Sequence, residues 1–265
     1  MSEYIIAGGE AGKQRLALLG SILNEGTLAL LRRLQPAGVE RFLDLGCGGG
    51  SVALDVARSG FAKNVVGIDA DATVLELARA DAAAQGVARV EFRQADAEQW
   101  NEAAPYDLVY TRFVLSHMTH PQRVLQKAVD ALRPGGLLLA EDVDFPGHFC
   151  YPANKAFHDY LDWYQQSARR NGQDPVIGPR LPSLLHASGL AACGFDIVQP
   201  AFQQGPGKWM AWQTLDKIGA TLLRQHFITE DELATTLAAL KVFTEDPQSI
   251  ISLPRIFRAW GRKDH

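Results

Sequence analysis

The residues best able to do chemistry stand together in Phe42-Leu43-Asp44-Leu45-Gly46-Cys47-Gly48-Gly49-Gly50-Ser51. An apolar run, a glycine loop and a small polar residue read as a buried strand, a tight turn and the start of a helix. Glycine has no Cβ, so it takes φ > 0 and lets the backbone come close to a ligand. The helix that follows aims unpaired N–H groups into the same crevice. Such a loop suits a nucleotide-like ligand. A dinucleotide fingerprint needs a third glycine at position 51, and the chain has Ser51 there. The order here is an acid, Asp44, then Gly46, Gly48 and Gly50 at alternate positions.

Other polar residues fall at the ends of apolar runs. Asp69 closes Asn64-Val65-Val66-Gly67-Ile68. A carboxylate at that place accepts hydrogen bonds from both hydroxyls of a ribose, in a nicotinamide enzyme as in others. Asp96-Ala97 follows Val90–Ala95, and Thr111-Arg112-Phe113 follows Tyr106–Tyr110. His117 and His148 are the candidate proton acceptors, since histidine titrates near neutral pH. Glu141, Asp142 and Asp144 cluster on the last of these runs, with Asp142 and Asp144 on one face. Two carboxylates on one face could hold a divalent cation, but no Asp-Asn pair follows. No metal is assigned, and the three acids read equally as solvated side chains. Cys47 reads as a small residue filling the turn.

The elements that must position these residues alternate. Helices are expected at 51–59, 71–85 (capped by Asp71 and ended by Gly86) and 121–132, between strands at 42–45, 64–69, 90–95, 106–110 and 137–143. Strand–helix alternation predicts an α/β fold with a doubly wound, mostly parallel sheet. Further helices are expected at 10–34, with a break at Gly26, and at 153–170, 181–188, 208–227 and 230–243. The last two strands are placed at 195–202 and 251–260. The reading is one domain over 1–265. Its α/β core is 37–145, helical lid segments cover 1–36, 146–190 and 203–250, and the edge strands are 195–202 and 251–260.

The chain resembles the class I S-adenosylmethionine-dependent methyltransferases. The likeness rests on "LDLGCGGG", on the acids Asp69 and Asp96 in order, and on "LRPGGLLL" from Leu132 to Leu139. It implies a Rossmann-like sheet of seven strands, the last two an antiparallel hairpin at its edge. It also implies S-adenosylmethionine as methyl donor and S-adenosylhomocysteine as product. In the family the Asp44–Gly50 loop, with Gly46, Cys47, Gly48 and Gly50, holds the methionine part, Asp44 facing its amino group. Asp69 would take the ribose, Ala70 would pack on the adenine, and Asp96 and Ala97 would meet the adenine edge. Thr111 and Arg112 would pass beneath the sulfonium, and Tyr4 would lie near the methyl donor. Within the superfamily the chain is similar to the ubiquinone/menaquinone-biosynthesis and natural-product methyltransferases of secondary metabolism. That implies a small, apolar or aromatic acceptor met by Phe145, His148 and Trp209, with His117 as catalytic base. The acceptor would attack the methyl carbon directly, helped by alignment and a dry site.

Composition narrows the field. The 265 residues are 47% apolar and 21% charged, ordinary for a globular protein. A formal net charge of −4 gives no general attraction to nucleic acid or anionic lipid. No apolar run reaches membrane-spanning length, and Met1–Ile6 lacks the basic and apolar regions expected of a signal peptide. The cysteines Cys47, Cys150 and Cys193 form no disulfide framework, so a cytoplasmic monomer or homodimer is expected. Two other readings stay open. One is a protein of this fold that binds the cofactor but catalyses another reaction or none. The other is a nicotinamide oxidoreductase, which Ser51 argues against.

Overall fold

The computed structural model describes residues 10–35, 37–101 and 105–264. Apolar runs with no polar side become strands covered on both faces. They are β1 (Val39–Leu45), β2 (Ala62–Asp69), β3 (Val90–Gln94), β4 (Tyr106–Arg112) and β5 (Leu132–Asp144). β6 (Cys150–Tyr151), β7 (Leu190–Val198), β8 (Ala201–Phe202), β9 (Ile250–Ser252) and β10 (Arg255–Lys263) follow. The helices are α1 (Glu10–Leu34), α2 (Ser51–Arg58), α3 (Ala72–Ala84), α4 (Pro121–Asp130), α5 (Lys155–Arg170), α6 (Leu181–Ala187), α7 (Met210–Arg224) and α8 (Glu230–Glu245). No described helix is long and apolar enough to cross a membrane.

Seven strands form one sheet in the order β3-β2-β1-β4-β5-β10-β7. β1 to β5 are parallel, and β10 runs antiparallel between β5 and β7. This is the doubly wound, mostly parallel sheet expected from the alternation. Side chains alternate between its two layers. Phe42, Leu108 and Leu139 pack under α1, α2 and α3 with Leu31, Val56 and Leu75. Leu43, Val109 and Leu138 pack on the other side with Leu125 of α4 and Leu185 of α6. A third cluster joins α5, α7 and α8 through Phe157, Leu215 and Leu240. β6, β9 and β8 make a small second sheet next to it.

Several boundaries differ from the sequence reading. α1 runs unbroken through Gly26, because Leu23 and Leu30 bury on either side of it and its carbonyl accepts from Arg258. The strand placed at 195–202 begins at Leu190 and ends at Val198. Pro200, without an N–H, interrupts it, and Phe202 joins the small sheet instead. The strand placed at 251–260 is likewise two. Pro254 separates β9, in the small sheet, from β10, in the large one. The strand expected at 137–143 begins earlier, at Leu132, and Pro134-Gly135-Gly136 form a bulge within β5, where Leu132 pairs Tyr106 and Leu137 already pairs Leu108.

A buried polar network ties α1 to the middle of the sheet. Glu141 is 2% exposed and accepts from Thr27 Oγ1 at 2.9 Å and Tyr110 Oη at 2.9 Å. Arg112 Nη1 lies 4.0 Å from the same carboxylate, and its Nη2 donates to Asn24 Oδ1 at 2.9 Å. Asn24 then donates to Ser51 Oγ at 2.8 Å and Asp55 Oδ2 at 2.6 Å, at the first turns of α2. Burial raises the Glu141 carboxyl, and Arg112, Tyr110 and Thr27 pull it back. Removing one member of such a pair leaves a buried charge unanswered. Glu141→Ala is therefore expected to cost about 3–5 kcal/mol in urea denaturation, and Glu141→Gln clearly less, since it still accepts a hydrogen bond.

Candidate functional site

The sheet opens where β1 and β4 lie side by side and the chain winds away in opposite directions. Ligands of open α/β sheets bind at that point, beyond the strand C-termini. A cavity of about 790 Å³ occupies it, near the upper end of the usual range for ligand sites. Its wall follows the ends of β1 to β5 and is completed by α1, α5 and α7.

The glycine loop forms the floor of one half. Gly46 and Cys47 donate to Ile68 O at 2.8 and 2.9 Å, and Gly48 N donates to Asp69 Oδ2 at 2.8 Å. A Cβ on Gly48, which has φ +51°, would approach Leu16 of α1 at 3.5 Å, whereas one on Gly49 would meet nothing within 4 Å. The loop thus leaves a trough that side chains would fill. Gly50 stands behind it as the N-cap of α2 and does not line the cavity. Burial pushes the Cys47 thiol well up, so it packs the turn as a neutral group.

Three carboxylates mark this half. Asp44 is 3% exposed and accepts from Ala53 N at 3.1 Å. Burial raises it to about 7, against the pull of Arg112. Asp69 accepts from Gly48 N and, at 3.0 Å, from Asp71 N, and burial raises its carboxyl too. Each of its oxygens keeps acceptor capacity for a ligand hydroxyl. Helix capping falls to Asp71, which accepts from Thr73 N at 2.8 Å. Asp96 is exposed and accepts from Glu98 N at 2.9 Å. Ala70, Val74, Ala95, Ala97 and Met118 supply apolar wall among these acids. Three acids beside a glycine trough suit a ligand that carries amino and hydroxyl groups.

Arg112 lines the cavity between its halves, bound into the Glu141 network. Thr111 is 1% exposed and is not among the residues that line the cavity. Tyr4 lies outside the described residues.

The other half is aromatic. Phe145 stacks on Tyr164, centroids 3.9 Å apart, and meets His148 edge-on at 4.5 Å. Tyr160, Met210 and Pro254 also line it. Trp209 does not; it packs edge-on against Trp212 at 5.9 Å, and its neighbour Met210 turns to the cavity instead. His148 Nδ1 stands 2.7 Å from Phe145 O. A carbonyl only accepts, so that nitrogen carries the proton and Nε2 is left as the acceptor. His117, 9% exposed, sits in the short helical turn Leu115–His117. Asp142 anchors this turn by accepting from Ser116 N at 3.0 Å. Burial lowers both histidines to about 4, so both are neutral at physiological pH.

The acids of β5 are not solvated. Glu141 joins the α1 network, Asp142 holds the His117 turn, and Asp144 pairs with Arg255 Nη2 at 2.6 Å. All three are under 7% exposed. Sequence reasoning missed Arg15, Asn24, Tyr160 and Tyr164. The last two stand four apart on the apolar stripe of α5, a spacing that signalled a buried face without saying what it faced.

Residues 38–174 match the family profile described as "Methyltransferase domain". The trans-aconitate 2-methyltransferase of Azoarcus sp. (strain BH72) is 30% identical over 250 residues, covering 86% of this chain and 89% of that enzyme. The ubiquinone biosynthesis O-methyltransferase of Caulobacter sp. (strain K31) is 39% identical over 101 residues, but this match covers 37% of this chain and 39% of that enzyme. A methyltransferase-type structure from Bacillus halodurans shares the fold, with a TM-score of 0.62 at 21% identity over 90% of this chain and 99% of that one. Sheet order, family profile and similarity over most of both chains agree, and the chain belongs to the S-adenosylmethionine-dependent methyltransferases that act on small molecules.

Proposed function

We propose that this protein methylates a small metabolite with an apolar or aromatic body, and that its two ligands share the one cavity. The observation that carries the reading is the division of that cavity. One half is a glycine trough with Asp44, Asp69 and Asp96, and the other is lined by Phe145, Tyr160 and Tyr164. When bound, S-adenosylmethionine supplies an electrophilic methyl carbon on a sulfonium. Asp44 is proposed to hold its ammonium, Asp69 its ribose hydroxyls and Asp96 its adenine amino group, while Ala70 and Ala97 pack beside the base. Gly46, Cys47 and Gly48 keep the backbone low enough for close approach.

The aromatic half keeps the acceptor dry and aligned, which is where most of the acceleration is available. Phe145 and His148 are proposed to meet the acceptor. His117 is the group proposed to take a proton from an acceptor that arrives protonated. It is neutral, as that role requires, but burial makes it a weak base, so its contribution depends on the acceptor raising its basicity.

Calorimetric titration of the purified protein tests the donor half. S-adenosylhomocysteine is expected to bind, and NAD is not. Asp69→Ala is expected to weaken S-adenosylhomocysteine about tenfold or more by removing a charged acceptor. An unchanged dissociation constant would remove Asp69 from the ribose site. Transfer itself is read by mass spectrometry as a gain of one methyl on the acceptor, an outcome that a cyclase or a non-catalytic protein of this fold would not give.

Asp44 makes binding pH-dependent. Its carboxyl titrates near about 7 in the free protein, and an ammonium placed beside it favours the ionised form. Binding should therefore release protons near neutral pH. Affinity for S-adenosylhomocysteine should rise between about pH 5.5 and 7.5 and then flatten, as titration of a single such group requires. Calorimetry in buffers of different ionisation enthalpy measures the release, and Asp44→Asn should abolish it.

A further inference from the structure

The aromatic half of the cavity contains a charge that the proposed reaction does not use. Arg15 of α1 reaches across to α7, where its Nε donates to Thr214 Oγ1 at 3.3 Å. Thr214 donates onward to Met210 O at 2.7 Å, and Tyr160 lines the cavity with it. This contact uses Nε alone. Among the described residues, no side chain accepts from either terminal nitrogen of Arg15. The carboxylates that line the cavity are Asp44, Asp55, Asp69, Asp71, Asp81 and Asp96, all on α2, α3 or the ends of β1 to β3. Among the described residues, none of them forms an ion pair with Arg15. Among the described residues, the half proposed for the acceptor thus has the Arg15 cation and no anion paired with it.

A guanidinium fixed at Nε presents its remaining planar N–H fork with part of its ordering cost already met. That fork fits the two oxygens of a carboxylate. We infer that Arg15, braced by Thr214, seats the carboxylate of an acidic acceptor whose apolar or aromatic body lies against Phe145, Tyr164 and Met210. The inference rests on the methyl-transfer reading above and adds the charge of the acceptor to it. A single guanidinium suits a singly charged group, and the aromatic walls suit the rest of the molecule. Arg15 also acts on His117 through space, adding to the effect of burial in lowering its basicity. An anion on Arg15 would reverse that contribution and make His117 a better proton acceptor once the acceptor is in place.

The test uses the full chain saturated with S-adenosylhomocysteine, titrated by calorimetry with cinnamate and with its neutral analogue cinnamamide. Cinnamate is expected to bind about tenfold or more tightly than the amide, the usual worth of a charge-assisted hydrogen bond. Arg15→Met should abolish that preference, Arg15→Lys should restore part of it, and S-adenosylhomocysteine affinity should stay within about twofold in both, since non-contacting variants change little. Equal binding of acid and amide, no binding of either, or a preference that survives in Arg15→Met would overturn the inference. So would a large loss of S-adenosylhomocysteine affinity in Arg15→Met, which would assign the guanidinium to the donor's own carboxylate. Failure of the wild-type protein to bind S-adenosylhomocysteine would be a different result, and would bring down the methyl-transfer reading and this inference together.

Discussion

A carboxylate and a guanidinium taken out of water in the middle of a sheet must each be answered by other polar groups, because desolvation costs them more than their mutual attraction returns. Glu141 and Arg112 are in that position, and neighbouring strands alone do not satisfy them. Tyr110 supplies one hydrogen bond from within the sheet, while Thr27 and Asn24 come from α1. α1 is consequently not free to sit elsewhere. The same docking brings Leu16 over Gly48 and sends Arg15 across to Thr214. A structural demand at the core thereby decides the shape of the cavity roof.

The cavity has an electrical polarity along its length. Acids gather around the glycine trough, and among the described residues the far end is lined by the Arg15 guanidinium and neutral aromatic groups. Burial reinforces the pattern by raising Asp44 and Asp69 and lowering His117 and His148. Asp44, raised to about 7, is held near the point at which a ligand charge can change its protonation. The site gains selectivity from what it lacks when empty of charge, since a wrong ligand leaves a costly group uncompensated.

The half of the site that rides on strand ends was legible in the sequence. Asp44, the glycine loop, Asp69 and Asp96 each follow an apolar run, so local pattern alone placed them on one edge of the sheet. Arg15, Tyr160 and Trp209 show where that approach stops. They lie on helices whose stripes announce burial, but which neighbour a buried face meets depends on long-range packing. Arg15 and Thr214 are 199 positions apart. The acids of β5 were misread for a related reason. A strand end usually opens to solvent, and here α1 and the His117 turn cover it. Pro200 and Pro254 were visible, yet only the pairing of β6, β8 and β9 explains why the chain changes sheet at both.

The position of β10 has a consequence for how the molecule comes together. It is the last of the described strands in sequence and an interior strand in space, hydrogen-bonded along both edges. Until it arrives, β5 offers an open edge and β7 has no partner in the sheet. Lys263, near its end, also ties the carbonyls of Val129 and Leu132 at the close of α4. The parallel half can form early from contacts close in sequence, while closure waits for a segment more than a hundred residues downstream of β5. During that interval an unpaired, apolar strand edge is exposed, the surface through which nascent chains associate wrongly. Assembly is thus most vulnerable late, at the opposite side of the sheet from the glycine loop.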